Sequence, residues 1–195
     1  MTLTGTLERS RVAVLAVVGA LALGACGGDS EAGNATDRAF VGDMVPHHAS
    51  AVDMAEIARR RGEHPEVKAL AEDIIASQGE EIDQMNQAKG TLDEDGVKAG
   101  KLAVPADMTG MDMDAGMLET AKPFDREFID MMIPHHQGAI RMARAELDEG
   151  SSEELKALAE EIVSAQTKEI QQMNAWRMEW YGGPSPAGGV PADGS

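Results

Sequence analysis

Cysteine is nearly missing from this chain: Cys26 is the only one among 195 residues. No internal disulfide can form, so the fold must rest on its core. Aromatic residues make up only 3%, against 13 methionines. Basic residues are scarce, with 17 Lys+Arg facing 34 Asp+Glu and a formal charge of −17. A basic footprint is therefore absent, which argues against nucleic acid as a partner. The same excess of carboxylates attracts cations. No stretch reads as a β-strand. The longest apolar run, 12–23, is too short for a membrane-spanning helix with ordinary flanks.

That run follows Arg9 and Arg11 and ends in Leu23-Gly24-Ala25-Cys26. A basic start, a short apolar stretch and small residues before the cut describe a secretory signal over 1–25. The LGAC sequence resembles a bacterial lipobox. That resemblance implies lipidation of Cys26, a mature chain starting there, and an extracytoplasmic protein anchored to the membrane. A plain signal peptide with an incidental cysteine is the alternative. Residues 26–36 are Gly/Ser/Asp-rich and predict a flexible tether.

Beyond the tether the chain repeats itself. With a constant offset of 88 and no gaps, Asp37–Asn86 matches Asp125–Asn174 at 24 of 50 positions. Phe40–Ala58 returns as Phe128–Glu146, and each copy carries Met, then Pro-His-His, then a second Met. Self-similarity of this kind fixes the architecture before any other signal. Two copies predict pseudo-twofold packing rather than a solenoid.

Each copy reads as two long amphipathic helices joined by a short turn. On a helical wheel Phe40, Met44, His47, His48, Ala51, Met54, Ala55 and Ala58 share one face. Thr36-Asp37 can cap a first helix over about 37–61, with Pro46 inside it marking a kink or the true start. Pro65 opens a second helix to about 89, whose inward face takes Gln78, Glu81 and Met85. Ser151-Ser152-Glu153-Glu154 offers a capping box for a fourth helix over about 152–180. The prediction is an all-α four-helix bundle made of two duplicated αα-hairpins, spanning 37–180. Its repeats cover 37–89 and 124–180, with a Met-rich linker at 90–123 and a disordered tail at 181–195.

Four of the five histidines lie in the two Pro-His-His copies. Met44 precedes His47 and His48 by three and four residues, a spacing that stacks side chains on one helix face. Imidazole suits several transition metals, and thioether selects soft copper(I). A Met/His set with a single, N-terminal cysteine therefore points to copper in either oxidation state. Di-iron bundles use Glu-x-x-His, but here Met44 and Met132 stand three residues before His47 and His135. Glu81 and Glu169 are expected to accept hydrogen bonds from ligating histidines or to ligate occasionally. Met85 and Met173 are further ligands or core filler. Met108, Met111, Met113 and Met117 in the linker form a copper(I) loop or an oxidisable linker. Trp176, Met178 and Trp180 fit helix packing better than a copper(I) contact. With ordinary imidazole behaviour, copper(II) affinity should fall as pH drops through about 6.5.

The repeated F-[VI]-x-x-M-[VI]-P-H-H-x-x-A-[VI]-x-M-A pattern resembles the domain-of-unknown-function 305 family. These are exported bacterial proteins with a ferritin-like four-helix fold, and CopM-like members bind copper outside the cytoplasm. The resemblance covers about 37–180. It implies that Met44, His47, His48, Met54, Met132, His135, His136 and Met142 are the signature donors, one matched set per repeat. The expectation is a lipoprotein that buffers or carries copper, with a copper-handling protein as a further partner. A redox enzyme on the same bundle, or a metal-free structural lipoprotein, are the alternatives.

Overall fold

The computed structural model describes residues 33–192. Four helices run α1 (Ala35–Arg61), α2 (Pro65–Glu94), α3 (Phe124–Glu149) and α4 (Glu153–Tyr181). No strand occurs among the described residues. None of their helices is long and apolar enough to cross a membrane. Each repeat supplies one hairpin, and α1 packs on α3 across the pseudo-twofold axis, giving an all-α four-helix bundle.

The helix ends show how the two hairpins are locked together. Asn34, not Thr36 or Asp37, caps α1: its side chain accepts from the amides of Thr36 and Asp37. Asp37 completes a capping box by accepting from the Asn34 amide. It also reaches the other hairpin, accepting from the amides of Ser151 (3.1 Å) and Ser152 (2.9 Å) at the turn into α4. Asp125, its counterpart, accepts from the amides of Glu63 and His64 (both 2.8 Å) at the turn into α2. Each repeat thus closes the turn of the other with a buried aspartate. At α4 the Ser152 side chain also caps the Leu155 amide.

Pro46 and Pro134 lie inside continuous helices rather than at their starts. Second, α2 continues through Gly90 to Glu94, so the irregular linker begins later than composition predicts. The linker then forms two short 3-10 turns at Ala106–Met108 and Ala115–Glu119.

The tail departs most from expectation. Its Gly/Pro content predicts disorder, yet residues 182–192 fold back along α3 and α4. Gln137 donates to the carbonyls of Ala187 (2.9 Å) and Gly189 (2.6 Å), and Arg144 to those of Pro191 and Ala192. Asn174 donates to Gly188 and accepts from the Ser185 amide. Non-helical backbone becomes ordered here because side chains of the bundle satisfy its carbonyls.

Candidate metal centre

The Pro-His-His segments of α1 and α3 meet at the middle of the bundle. His47, His48, His135 and His136 are at most 1% exposed. The rings of His47 and His135 face each other across the pseudo-twofold axis with centroids 3.8 Å apart. His48 Nε2 lies 2.6 Å from Glu81 Oε2, and its counterpart His136 Nε2 lies 2.6 Å from Glu169 Oε2. Each carboxylate comes from the second helix of the same hairpin.

These partners set the tautomers. A carboxylate or a carbonyl oxygen can only accept, so the Nε2 facing it carries the proton. His47 Nε2 donates to the Thr109 carbonyl of the linker, 3.0 Å away. In the neutral ring of His47, His48 or His136 the Nδ1 atom is then left with a lone pair. All three Nδ1 atoms, and both ring nitrogens of His135, are buried without a hydrogen-bond partner. Unpaired polar atoms cost free energy in a core unless something binds them. Neutral His135 keeps one N–H, so up to four of these five nitrogens offer a lone pair at one level of the bundle, a donor set suited to a cation.

Burial, and secondarily the neighbouring imidazoles, holds the His47 pKa down to about 3. The same causes push His135 well below the ordinary imidazole value. Both are neutral at neutral pH, so an arriving metal displaces no proton from them.

Methionines flank this layer on either side, in an arrangement the sequence does not announce. Met44, Met85 and Met142 share one buried cluster, and Met54, Met132 and Met173 share the other. The offset of 88 converts one trio into the other. Met44 and Met54, assigned together by the repeat motif, lie in different clusters. Ten residues on one helix separate them by about 15 Å. Each trio draws instead on three helices. Among the described residues no three His, Cys, Asp or Glu side chains form a ready-made cage. The further donors beside the imidazoles are thioethers, whose chemistry suits a soft ion.

The linker methionines do not form one site. Met108 lines one cleft. Met111 lines a second, of about 470 Å³, together with Asp43, Pro46, Thr109 and Met142. Met113 and Met117 line a third. Cys26, with segment 1–25 and most of the tether, lies outside the described residues.

Sequence reasoning passed over Thr109, which carries no motif and reaches His47 from the linker. It also left unused a symmetric pair. Gln78 and Gln166 are buried, and each leaves its side-chain oxygen unpartnered one turn before Glu81 and Glu169. Their match at the repeat offset was the available signal.

Comparison with known proteins agrees with this architecture. CopM in its copper(II)-bound form superposes with a TM-score of 0.66 at 41% identity, covering 74% of this chain and 97% of that one. Its copper(I)-bound form gives 0.63 at 40%, covering 75% and 98%. A putative secreted protein from Streptomyces coelicolor gives 0.66 at 29%, covering 77% and 96%. An uncharacterised protein of Acanthamoeba polyphaga mimivirus is 42% identical over 50 residues, 26% of this chain. The chain spans about a third of that curated relative, 33% of its length. The family model described as domain of unknown function (DUF305) matches residues 37–177, and the chain belongs to this family.

Proposed function

We propose that the protein binds copper in the histidine layer and its flanking methionine trios, and buffers or carries it outside the cytoplasm. The observation that carries this reading is the set of buried imidazole nitrogens without partners, fixed in orientation by Glu81, Glu169 and Thr109. Imidazole serves copper(II) and thioether serves copper(I), so one constellation tolerates both oxidation states. The likeness to copper-bound CopM supports the same reading. The cleft beside Thr109, lined by Met111 and Met142, offers a soft-donor approach to the layer. Export and anchoring follow from the lipobox-like LGAC at Cys26. Replacing Cys26 with Ala should release the protein from the envelope.

The test is a His47→Ala/His48→Ala/His135→Ala/His136→Ala variant. It should lose copper(II) binding in equilibrium dialysis while circular dichroism still reports a helical bundle. If this helical variant binds copper(I) and copper(II) like the wild type, the histidines are structural and the reading is wrong.

A further inference from the structure

Met131 stands beside Met132 on α3 but turns the other way. Met132 is fully buried, whereas Met131 lines a cleft of about 450 Å³ with Met113 and Met117 of the linker. We propose that this cleft is a separate site for one monovalent soft cation, copper(I) or silver(I), held by the thioethers of Met113, Met117 and Met131. The site needs no histidine and does not depend on the reading of the buried layer.

Three observations converge. The thioethers come from two segments far apart in sequence and are brought into one concavity by the fold. Core packing does not account for Met117, which is 66% exposed although burial is what a methionine gains from a core, while Met131 is only partly buried against the core beneath the cleft. The surroundings also favour a cation: Asp112 and Asp114 line the cleft against one Lys122, while Glu127 at its rim is paired with Arg126 at 2.7 Å. Neutral sulfur donors within an acidic rim attract a positive ion without competing protons. Thioether chemistry then selects a soft monovalent ion over copper(II) or calcium.

The loop that presents the two linker methionines is held in place. Leu118 is fully buried beneath the 3-10 turn, and Asp114 caps that turn by accepting from the Gly116 amide at 2.8 Å. The site is single, because the first repeat has Asp43 where the second has Met131. The pseudo-twofold axis therefore creates no twin.

The experiment is a silver(I) titration of the full chain labelled with [methyl-13C]methionine. The methyl signals of Met113, Met117 and Met131 should shift together and saturate at one equivalent. A Met113→Leu/Met117→Leu/Met131→Leu variant conserves volume and should keep its fold. It should bind one silver equivalent fewer than the wild type with copper(II) binding unchanged. The quadruple histidine variant should retain the three coupled shifts, which separates this site from the buried layer. Unchanged silver stoichiometry in the helical triple-leucine variant, or three methyl signals that respond at different silver ratios, overturns the proposal.

Discussion

Glu146 sets its carboxyl against that of Asp37, at the position where the first repeat has Ala58. Neither Glu146 oxygen meets an N–H or O–H donor from elsewhere. Burial first, and Asp37 second, pushes its pKa up to about 8. Burial also acts to raise Asp37, but the hydrogen bond from Glu146 and the amides of Asn34, Ser152 and Ser151 outweigh it and leave Asp37 lowered. The pair therefore holds one proton, on Glu146, donated to an ionised Asp37.

This fixes the sign of a pH effect. The folded chain keeps a proton that the unfolded chain releases above the ordinary value of 4.5. The stability this proton contributes should fall as pH rises from there to about 8 and level off beyond. The buried imidazoles act in the opposite sense below 6.5, so the range from about pH 7 to about pH 8.5 isolates the carboxyl. Thermal melts should show a declining Tm for the wild type and a flat one for Glu146→Gln, whose amide donates without titrating. Parallel curves for the two proteins would contradict the shared proton.

The reciprocal caps predict a large loss from a small change. Asp125→Ala strands the amides of Glu63 and His64 in a part-buried turn. It should cost about 2–4 kcal/mol, from two unpaired donors and a lost cap. His64→Ala removes the ring, which stacks on Trp180 at 3.7 Å and donates to Asp125, but leaves both amides satisfied. Urea unfolding should give the smaller loss for His64→Ala. Equal losses would place the value of the contact in the ring rather than in the backbone cap.

Much of this architecture is legible in the sequence, for identifiable reasons. A 3.6-residue period in Phe40, Met44, His47 and His48, repeated at Phe128, Met132, His135 and His136, dictates two equivalent faces. The meeting of His47 and His135, their rings tilted by 39° with centroids 3.8 Å apart, then follows from duplication. The methionine trios are not legible, because the repeat groups Met44 with Met54 whereas helix rise separates them and lateral packing joins each to the other hairpin. The tail is misread because composition reports the absence of helix, not the presence of donors such as Gln137 and Asn174. The linker path is hidden for a similar reason: Gly110 and Gly138 matter through what approaches them, not through any local pattern.

Proton competition at the metal layer should be weaker than ordinary imidazole chemistry implies. With a folded pKa of about 3, His47 stays neutral far below 6.5, and burial acts on His135 in the same direction. Any loss of copper(II) affinity near pH 6.5 should therefore not arise from these two rings. Imidazole 15N spectra of the apo protein at about pH 5 should show both as neutral. A titration midpoint near the ordinary value for either ring would mean that water reaches it. The same neutrality has a cost for the apo fold, since unfolded histidines bind protons that these cannot. Apo stability should therefore drop as pH falls below 6.5.

The linker lies on α3 so closely that a single methyl group should lift it. A Cβ added at Gly138 would stand 1.8 Å from the Thr109 carbonyl oxygen, the atom that accepts from His47 Nε2. Backbone on both sides leaves no flexible side chain to yield. At Gly110, with φ +72°, an added Cβ would meet the Pro134 carbonyl at 2.5 Å from the opposite side. In the first repeat the position of Gly138 is Ser50, where a side chain is tolerated. Gly138→Ala should therefore displace Thr109, free His47 Nε2, and cost about 1–3 kcal/mol. Hydrogen exchange should rise in the linker around Thr109, and copper should leave the protein faster while the helices remain. Gly79→Ala is the matched control: its added Cβ meets nothing within 4 Å on helix α2. That change should be neutral or stabilising by up to about 1 kcal/mol. Equal exchange rates and copper off-rates in the two variants would show that the linker does not close the histidine layer.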